Sequence, residues 1–217
     1  MKTLKQFTSW LKEEQELSNQ FSFETFSAIE DRVKAIQYLV KTKMRVIGTG
    51  SFRATFALTD SKVLKIATMI EGIEHNKREV AHSKCLGKKF AVDVYKHHPE
   101  FWWLIEERAE LLDDDSFVSA FFSNLGIDKS AYPYFNDLDI QHTIEIAQSG
   151  RTVSRYRDDY VFENKLKAAR HWLKVSGWFR ELIEGLKQCN VGSDDFGTNN
   201  WGFRTSTGQL VIIDLGF

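Results

Sequence analysis

Apolar positions along this chain recur first at helical and then at strand spacing. Phe26, Ile29, Val33, Ile36, Leu39 and Val40 step by three and four residues, which predicts a helix over 24–42 with one apolar face; another is expected over 3–18. The period then shortens. Residues 44–47, 54–58 and 63–67 are short β-rich runs, separated by Gly48-Thr49-Gly50-Ser51 and Thr59-Asp60-Ser61. That pattern predicts an antiparallel meander with a glycine-rich first turn. A helix over 71–86 follows, with Gly87 as its C-cap, then strands over 90–95 and 101–106. Helices are expected over 117–125 and 137–148, with Tyr132-Pro133-Tyr134 as a connector. A long helix over 162–189 carries an apolar stripe of Trp172, Val175, Phe179, Leu182, Ile183 and Leu186, and two short strands close the chain over 201–204 and 209–213. There is no internal repeat. The order predicts a two-lobed α+β fold.

Composition narrows the class. A chain of 217 residues with 42% hydrophobic and 13% aromatic positions suits one domain or one bilobal unit. Two prolines and 13 glycines exclude collagen-like, linker-like and disordered classes. No apolar run approaches the ~18 residues of a membrane span. Met1 is followed by a charged amphipathic stretch rather than an apolar signal core, so a soluble, cytoplasmic protein is expected. Cys85 and Cys189 fit neither a disulfide framework nor a zinc cluster, and Cys85 is expected simply to pack. Net charge is −1, unevenly spread: residues 1–100 hold 17 Lys and Arg against 12 Asp and Glu, and residues 101–150 hold 2 against 10. No basic stripe dominates, which argues against specific nucleic-acid binding.

Three constellations could carry chemistry. In Ile47-Gly48-Thr49-Gly50-Ser51-Phe52-Arg53, two glycines between paired strands would let backbone approach a phosphate; ordinary hairpin turns use glycine too. No helix opens behind them and Gly-Lys-Ser/Thr is absent, so neither the Rossmann turn nor the P-loop applies. In Val63-Leu64-Lys65-Ile66-Ala67, a lysine among apolar strand residues must reach water, pair or bind an anion, and Glu79, Glu74 and Glu71 are its candidate partners. Near the C-terminus, Asp195 and Asn200 lie five apart, and Asp214 follows the apolar run Val211-Ile212-Ile213. An amide and a carboxylate oxygen are hard ligands suited to Mg²⁺, and a further Asp could take a proton from an attacking hydroxyl; Asp and Asn are also common turn formers.

Taken in order, these pieces resemble the protein-kinase superfamily: glycine loop, strand lysine, helix glutamate, hinge, Asp-x-x-x-x-Asn, then Asp-Leu-Gly in place of Asp-Phe-Gly. The resemblance spans about residues 44–217. It implies a kinase-like fold with a helical extension over 1–43, an N-lobe over 44–107 built on a five-stranded antiparallel sheet with one helix, and a reduced helical C-lobe over 108–217. It implies that Gly48, Thr49, Gly50, Ser51 and Phe52 cover the phosphates of ATP. Lys65 would hold the α- and β-phosphates and pair with Glu79. Glu106, Glu107 and Arg108 would form the hinge beside adenine. Asp195 would be the catalytic base, with Asn200 and Asp214 as Mg²⁺ ligands.

There are departures. Arg53 replaces the third glycine, Ser193-Asp194 stands where His-Arg usually precedes the base, and Gly197 takes the place of a lysine. With Phe217 directly after Asp214-Leu215-Gly216, the resemblance implies a kinase without an activation segment or peptide-docking helices. Such economy looks most like the compact kinases of some bacteriophages, which would place the protein in a host cytoplasm. A Ser/Thr protein kinase with a protein substrate is the first expectation. A small-molecule kinase of the aminoglycoside type, and a pseudokinase acting as a binding or inhibitory module, are the alternatives. Among lesser signals, His75, His82, His97 and His98 lack zinc-ligand spacing, and the tryptophans are expected in a core. The basic run Arg151-Thr152-Val153-Ser154-Arg155-Tyr156-Arg157 reads as a solvated connector, or as an autophosphorylation or substrate-contact loop.

Overall fold

A computed structural model describes residues 21–150, 159–192 and 196–215. The expected helix over 3–18 and the basic run at 151–157 lie outside the described residues. The expected α+β class is observed, in two compact units. One comprises the chain up to Lys77 together with Val94–Arg108; the other comprises Arg78–Asp93 and the chain from Ala109 onward.

The first unit is built on a five-stranded antiparallel sheet in the order β1-β2-β3-β5-β4, from β1 (Val46–Thr49), β2 (Arg53–Thr59), β3 (Lys62–Ala67), β4 (Val94–His97) and β5 (Trp103–Glu107). Side chains alternate across a strand, so cross-strand partners share a face. The rows Phe56–Leu64–Ile105 and Ala54–Ile66–Trp103 form the apolar face. Two helices cover it, α1 (Phe23–Ser27) and α2 (Arg32–Lys41), through Phe26, Ala35 and Leu39. The sequence predicted one helix here. Its interruption is capped: the Asp31 carboxylate accepts from Lys34 N at 2.9 Å, opening α2 with an orphan N–H satisfied. The break turns Val33 outward and Ala35 inward.

Between β3 and β4 runs α3 (Ile70–Leu86), closed by Gly87 at φ +68° as the sequence predicts. The strand predicted over 90–95 divides in two. Phe90 and Val92 exchange hydrogen bonds with Ile212, and β4 proper starts at Val94 beside β5.

In the second unit β6 (Ala109–Leu111), β7 (Trp201–Arg204) and β8 (Leu210–Ile212) form a three-stranded antiparallel sheet. Its helices are α4 (Asp114–Leu125), α5 (Asp137–Ser149), α6 (Asp159–Val175) and α7 (Gly177–Gln188). The long helix predicted over 162–189 is therefore two. Ser176 caps α7 by accepting from Phe179 N, and Arg180 Nη1 donates to Leu173 O and Lys174 O, so the chain turns with its orphan groups satisfied. Trp172, Phe179, Leu182, Ile183 and Leu186 are buried as expected, whereas Val175 at the break is half exposed. Trp102, Trp103, Trp172 and Trp201 are all core residues.

One expectation is overturned. Cys85 and Cys189 are joined in a disulfide, closing a sequence separation of 104 residues. Two cysteines far apart in the chain form no recognisable framework; what brings them together is tertiary, since each stands at the C-terminal end of a helix, α3 and α7. Among the described residues no helix is long and apolar enough to cross a membrane.

Within the second unit, Lys165 is buried between Asp139, at 2.9 Å, and His142 Nδ1, at 2.8 Å. Burial, followed by the Lys165 ammonium, holds the His142 imidazole below its ordinary pKa, against the pull of Asp139. A lowered value means that the unfolded chain takes up the proton first as pH falls. His142 therefore contributes stability that is complete above about pH 6.5 and is lost as pH drops toward the folded value. Urea midpoints at pH 7.5 and 5 should fall on acidification, and a His142→Gln variant should show a shallower fall; an equal fall in both would refute the assignment.

Candidate functional site

In the first unit the glycine turn and the strand lysine stand in register. Gly48 pairs with Thr55, Thr55 with Lys65, and Lys65 with Leu104, one row across four strands on the sheet face opposite the α1–α2 core. Strand spacing of ~4.8 Å puts the glycine backbone about 10 Å from the lysine backbone, on the same face of the sheet. The turn itself is closed by Gly50 N donating to Arg53 O at 2.9 Å.

Neither glycine is needed by the turn. Neither adopts positive φ. A Cβ at Gly48 would meet only Thr55, at 3.8 Å, and one at Gly50 only Arg53 O, at 3.9 Å, both ordinary contacts. The ordinary-hairpin explanation of these glycines thus loses its force, because alanine would fit at both. Thr49, Gly50 and Ser51 are exposed, and with the Gly50 N–H used to close the turn, the amides of Thr49 and Ser51 are the ones a phosphate could reach. Phe52, expected at the loop tip, is half-buried with its ring edge-on to His75 of α3 at 5.3 Å. Arg53 is buried and donates to Asn76 Oδ1 at 3.4 Å, while Asn76 Nδ2 donates to Phe101 O at 2.8 Å.

Lys65 is only 7% exposed, and its Nζ lies 2.8 Å from Glu106 Oε1. The register explains the pair: Val63 opposes Glu106, so Lys65 and Glu106 are diagonal neighbours on one face. Sequence reasoning singled out Glu106 for its backbone beside a hinge and missed its side chain. The signal was present: a carboxylate inside Trp102-Trp103-Leu104-Ile105-Glu106 must be paired if the strand is central. Glu107 is buried at the end of β5, and the Arg108 N–H is taken up by Ser61 O at 2.9 Å. Glu79 is buried on α3 in the second unit, 1% exposed.

In the second unit Asn200 and Asp214 stand at one end of the same ladder. Trp201 pairs with Ile212, and Ile213 N donates to Asn200 O at 2.8 Å, so both residues emerge from the same end of the β7–β8 ladder. Asn200 is buried in a 3-10 turn (Thr198–Asn200), and Asp214 is half-buried. Helix α5 braces the approach to them. Gln148 Nε2 donates to Val191 O at its entry, and Thr198 Oγ1 donates to Asp137 Oδ2 at 3.2 Å near its exit. These braces leave no local signature, since 61 residues separate Asp137 from Thr198. On the far side, His82 Nδ1 lies 2.9 Å from Leu215 O; a carbonyl can only accept, so Nδ1 carries the proton. Asp195, with Ser193 and Asp194, lies outside the described residues.

The donor set at 200 and 214, one amide and one carboxylate oxygen, fits Mg²⁺, which keeps few protein ligands and completes its shell with water and phosphate. Among the described residues no three His, Cys, Asp or Glu side chains gather as a metal cage.

No protein-family model matches this chain, and no curated protein matches it. Among solved structures it is similar to SAICAR synthase from Saccharomyces cerevisiae complexed with SAICAR, at 10% identity over 79% of this chain and 73% of that one, with a TM-score of 0.38. It is also similar to APH(2")-IIa in a ternary complex with streptomycin and ATP, at 14% identity over 87% of this chain and 71% of that one, with a TM-score of 0.37. Both likenesses are remote, and no residue's role rests on them.

Proposed function

We propose that this chain is an ATP- and Mg²⁺-dependent phosphotransferase that modifies a hydroxyl, a Ser or Thr on a protein being the favoured acceptor. The observation that carries the reading is the row Gly48–Thr55–Lys65: a buried ammonium in register with a turn whose glycines the fold does not require. Glycines that serve no internal purpose are explained by an external group that approaches the backbone closely. A cation on the same sheet face suits that group being anionic.

Each residue then has a task. The amides of Thr49 and Ser51 and the Lys65 ammonium bind and orient phosphate oxygens. Glu106 holds Lys65 in its rotamer through one charge-assisted bond. Asn200 and Asp214 would hold Mg²⁺, and Asp195 accepts the acceptor hydroxyl's proton. When bound, ATP supplies the phosphoryl group and Mg²⁺ the charge neutralisation that such transfer depends on. Positioning and electrostatics dominate this chemistry, so a small set of side chains suffices.

A methyl group at Gly48 tests the row directly. Gly48→Ala should leave thermal stability unchanged or slightly raised, because its Cβ has room, yet weaken nucleotide binding by about 1–3 kcal/mol through overpacking against the ligand. Fluorescence titration with an ATP analogue reads the second effect. Full affinity in the variant would remove the main support for the proposal. The acceptor is identified by incubation with γ-labelled ATP and Mg²⁺, offering protein mixtures in one arm and hydroxylated small molecules in the other. Label on a small molecule alone would move the assignment to a small-molecule kinase.

A further inference from the structure

The Cys85–Cys189 bond joins α3, which holds the chain beside Asp214 through His82, to α7, from which the chain runs on toward Asn200. Cys85 stands one residue from the end of α3, three after His82, whose imidazole holds Leu215 O beside Asp214. Cys189 caps α7. From it the chain passes through Asn190, held at φ +51°, and Val191, gripped by Gln148, into the segment ending at Asn200. Cys189 therefore opens the stretch that leads to Asn200, and Cys85 lies three residues from the imidazole that holds the chain beside Asp214.

We propose that Cys85–Cys189 is a reversible thiol–disulfide exchange site that sets the order of the segments carrying Asn200 and Asp214. Its effect on catalysis rests on the phosphotransferase reading above. Access favours exchange: Cys85 is exposed and Cys189 half-buried, so a small thiol reaches the Cys85 sulfur. The thiolate of a low-molecular-weight thiol attacks Cys85 Sγ, the S–S bond breaks, and Cys189 leaves as thiolate and takes up a proton. A second thiol molecule resolves the mixed disulfide. Two protein thiols and one small-molecule disulfide result, the two electrons having come from the thiol pair. Oxidation runs the same steps backward with a small-molecule disulfide as oxidant.

Reduction does not free the helices altogether. Gly185 stays against Leu86, where a Cβ would come within 3.2 Å of Leu86 Cδ2, and Lys89 remains ion-paired with Glu181. The expected response is thus a graded loosening of the chain ends beyond each cysteine. A cross-link of this kind persists in oxidising compartments and reports redox state in reducing ones.

The test uses the full chain, as purified without reductant and after treatment with dithiothreitol, beside a Cys85→Ser/Cys189→Ser double variant. Alkylation followed by mass measurement should find two blocked thiols only after reduction. Hydrogen exchange over 189–192, 196–200 and 213–215 should rise at least threefold on reduction and be equally fast in the variant with or without dithiothreitol. Phosphoryl transfer from γ-labelled ATP should fall at least threefold on reduction of the wild type and stay insensitive in the variant. Exchange that ignores redox state, or cysteines that alkylate without reduction, would overturn the inference. Redox-dependent exchange with no transfer in any state supports the exchange site and counts against the phosphotransferase reading instead. Transfer that is present yet equal in both states overturns the regulatory role.

Discussion

Asp195→Asn should lower phosphoryl transfer by a factor on the order of 10²–10⁴, the range for loss of a positioned general base, while ATP binding stays near the wild-type value. The amide keeps the shape of the carboxylate and removes its proton affinity, so binding and chemistry separate. Single-turnover transfer with γ-labelled ATP, beside equilibrium nucleotide binding, measures both. Undiminished turnover would exclude Asp195 as the base. A companion at Lys65 needs more care than the sequence suggests. Lys65→Ala alone takes the ammonium away from the buried Glu106 carboxylate, which costs about 3–5 kcal/mol of stability for reasons unconnected with ATP. Lys65→Met with Glu106→Gln removes both charges together; this pair should lose nucleotide affinity and still fold.

The largest stability effect is expected at Trp172. Its ring is fully buried and meets Phe122 at 5.6 Å, Tyr132 at 5.6 Å, Phe135 at 5.7 Å and Phe179 at 5.5 Å between centroids, all edge-on. Edge-to-face geometry adds to the burial itself. Trp172→Ala should cost about 3–5 kcal/mol, and with roughly 2–4 °C per kcal/mol for a chain of this size the melting point should fall by roughly 6–20 °C. Calorimetry decides it. A loss below ~1 kcal/mol would mean that the aromatic cluster is not the organising core of the second unit.

The sheet of the first unit was legible because its strands are short, β-rich and punctuated by turn residues, as at Gly48–Ser51 and Thr59–Ser61. Periodicity failed where a cap outweighed it. Asp31 and Ser176 each end one helix pattern and start another, and both breaks are written in a single polar side chain inside an otherwise continuous stripe. The segment 90–95 misled for a different reason: its apolar run is continuous, but its backbone partners change between Val92 and Val94. At the candidate site, Lys65, Asn200 and Asp214 could be chosen from residue chemistry and spacing. The Glu106 side chain, the α5 braces and the disulfide could not be placed in the same way. Each is a meeting of residues 41 to 104 positions apart or a choice among equally plausible partners, and only tertiary packing makes that choice.

Arg53 gives the glycine turn a property that a third glycine would not. Through Asn76 its guanidinium is tied to the Phe101 carbonyl, while Thr68 N holds Phe52 O at 2.8 Å. The hairpin is therefore anchored from beneath before anything binds to it. Its conformational entropy is surrendered at folding rather than at the encounter with a ligand, so association should leave little to freeze and its heat signature should report contacts more than ordering.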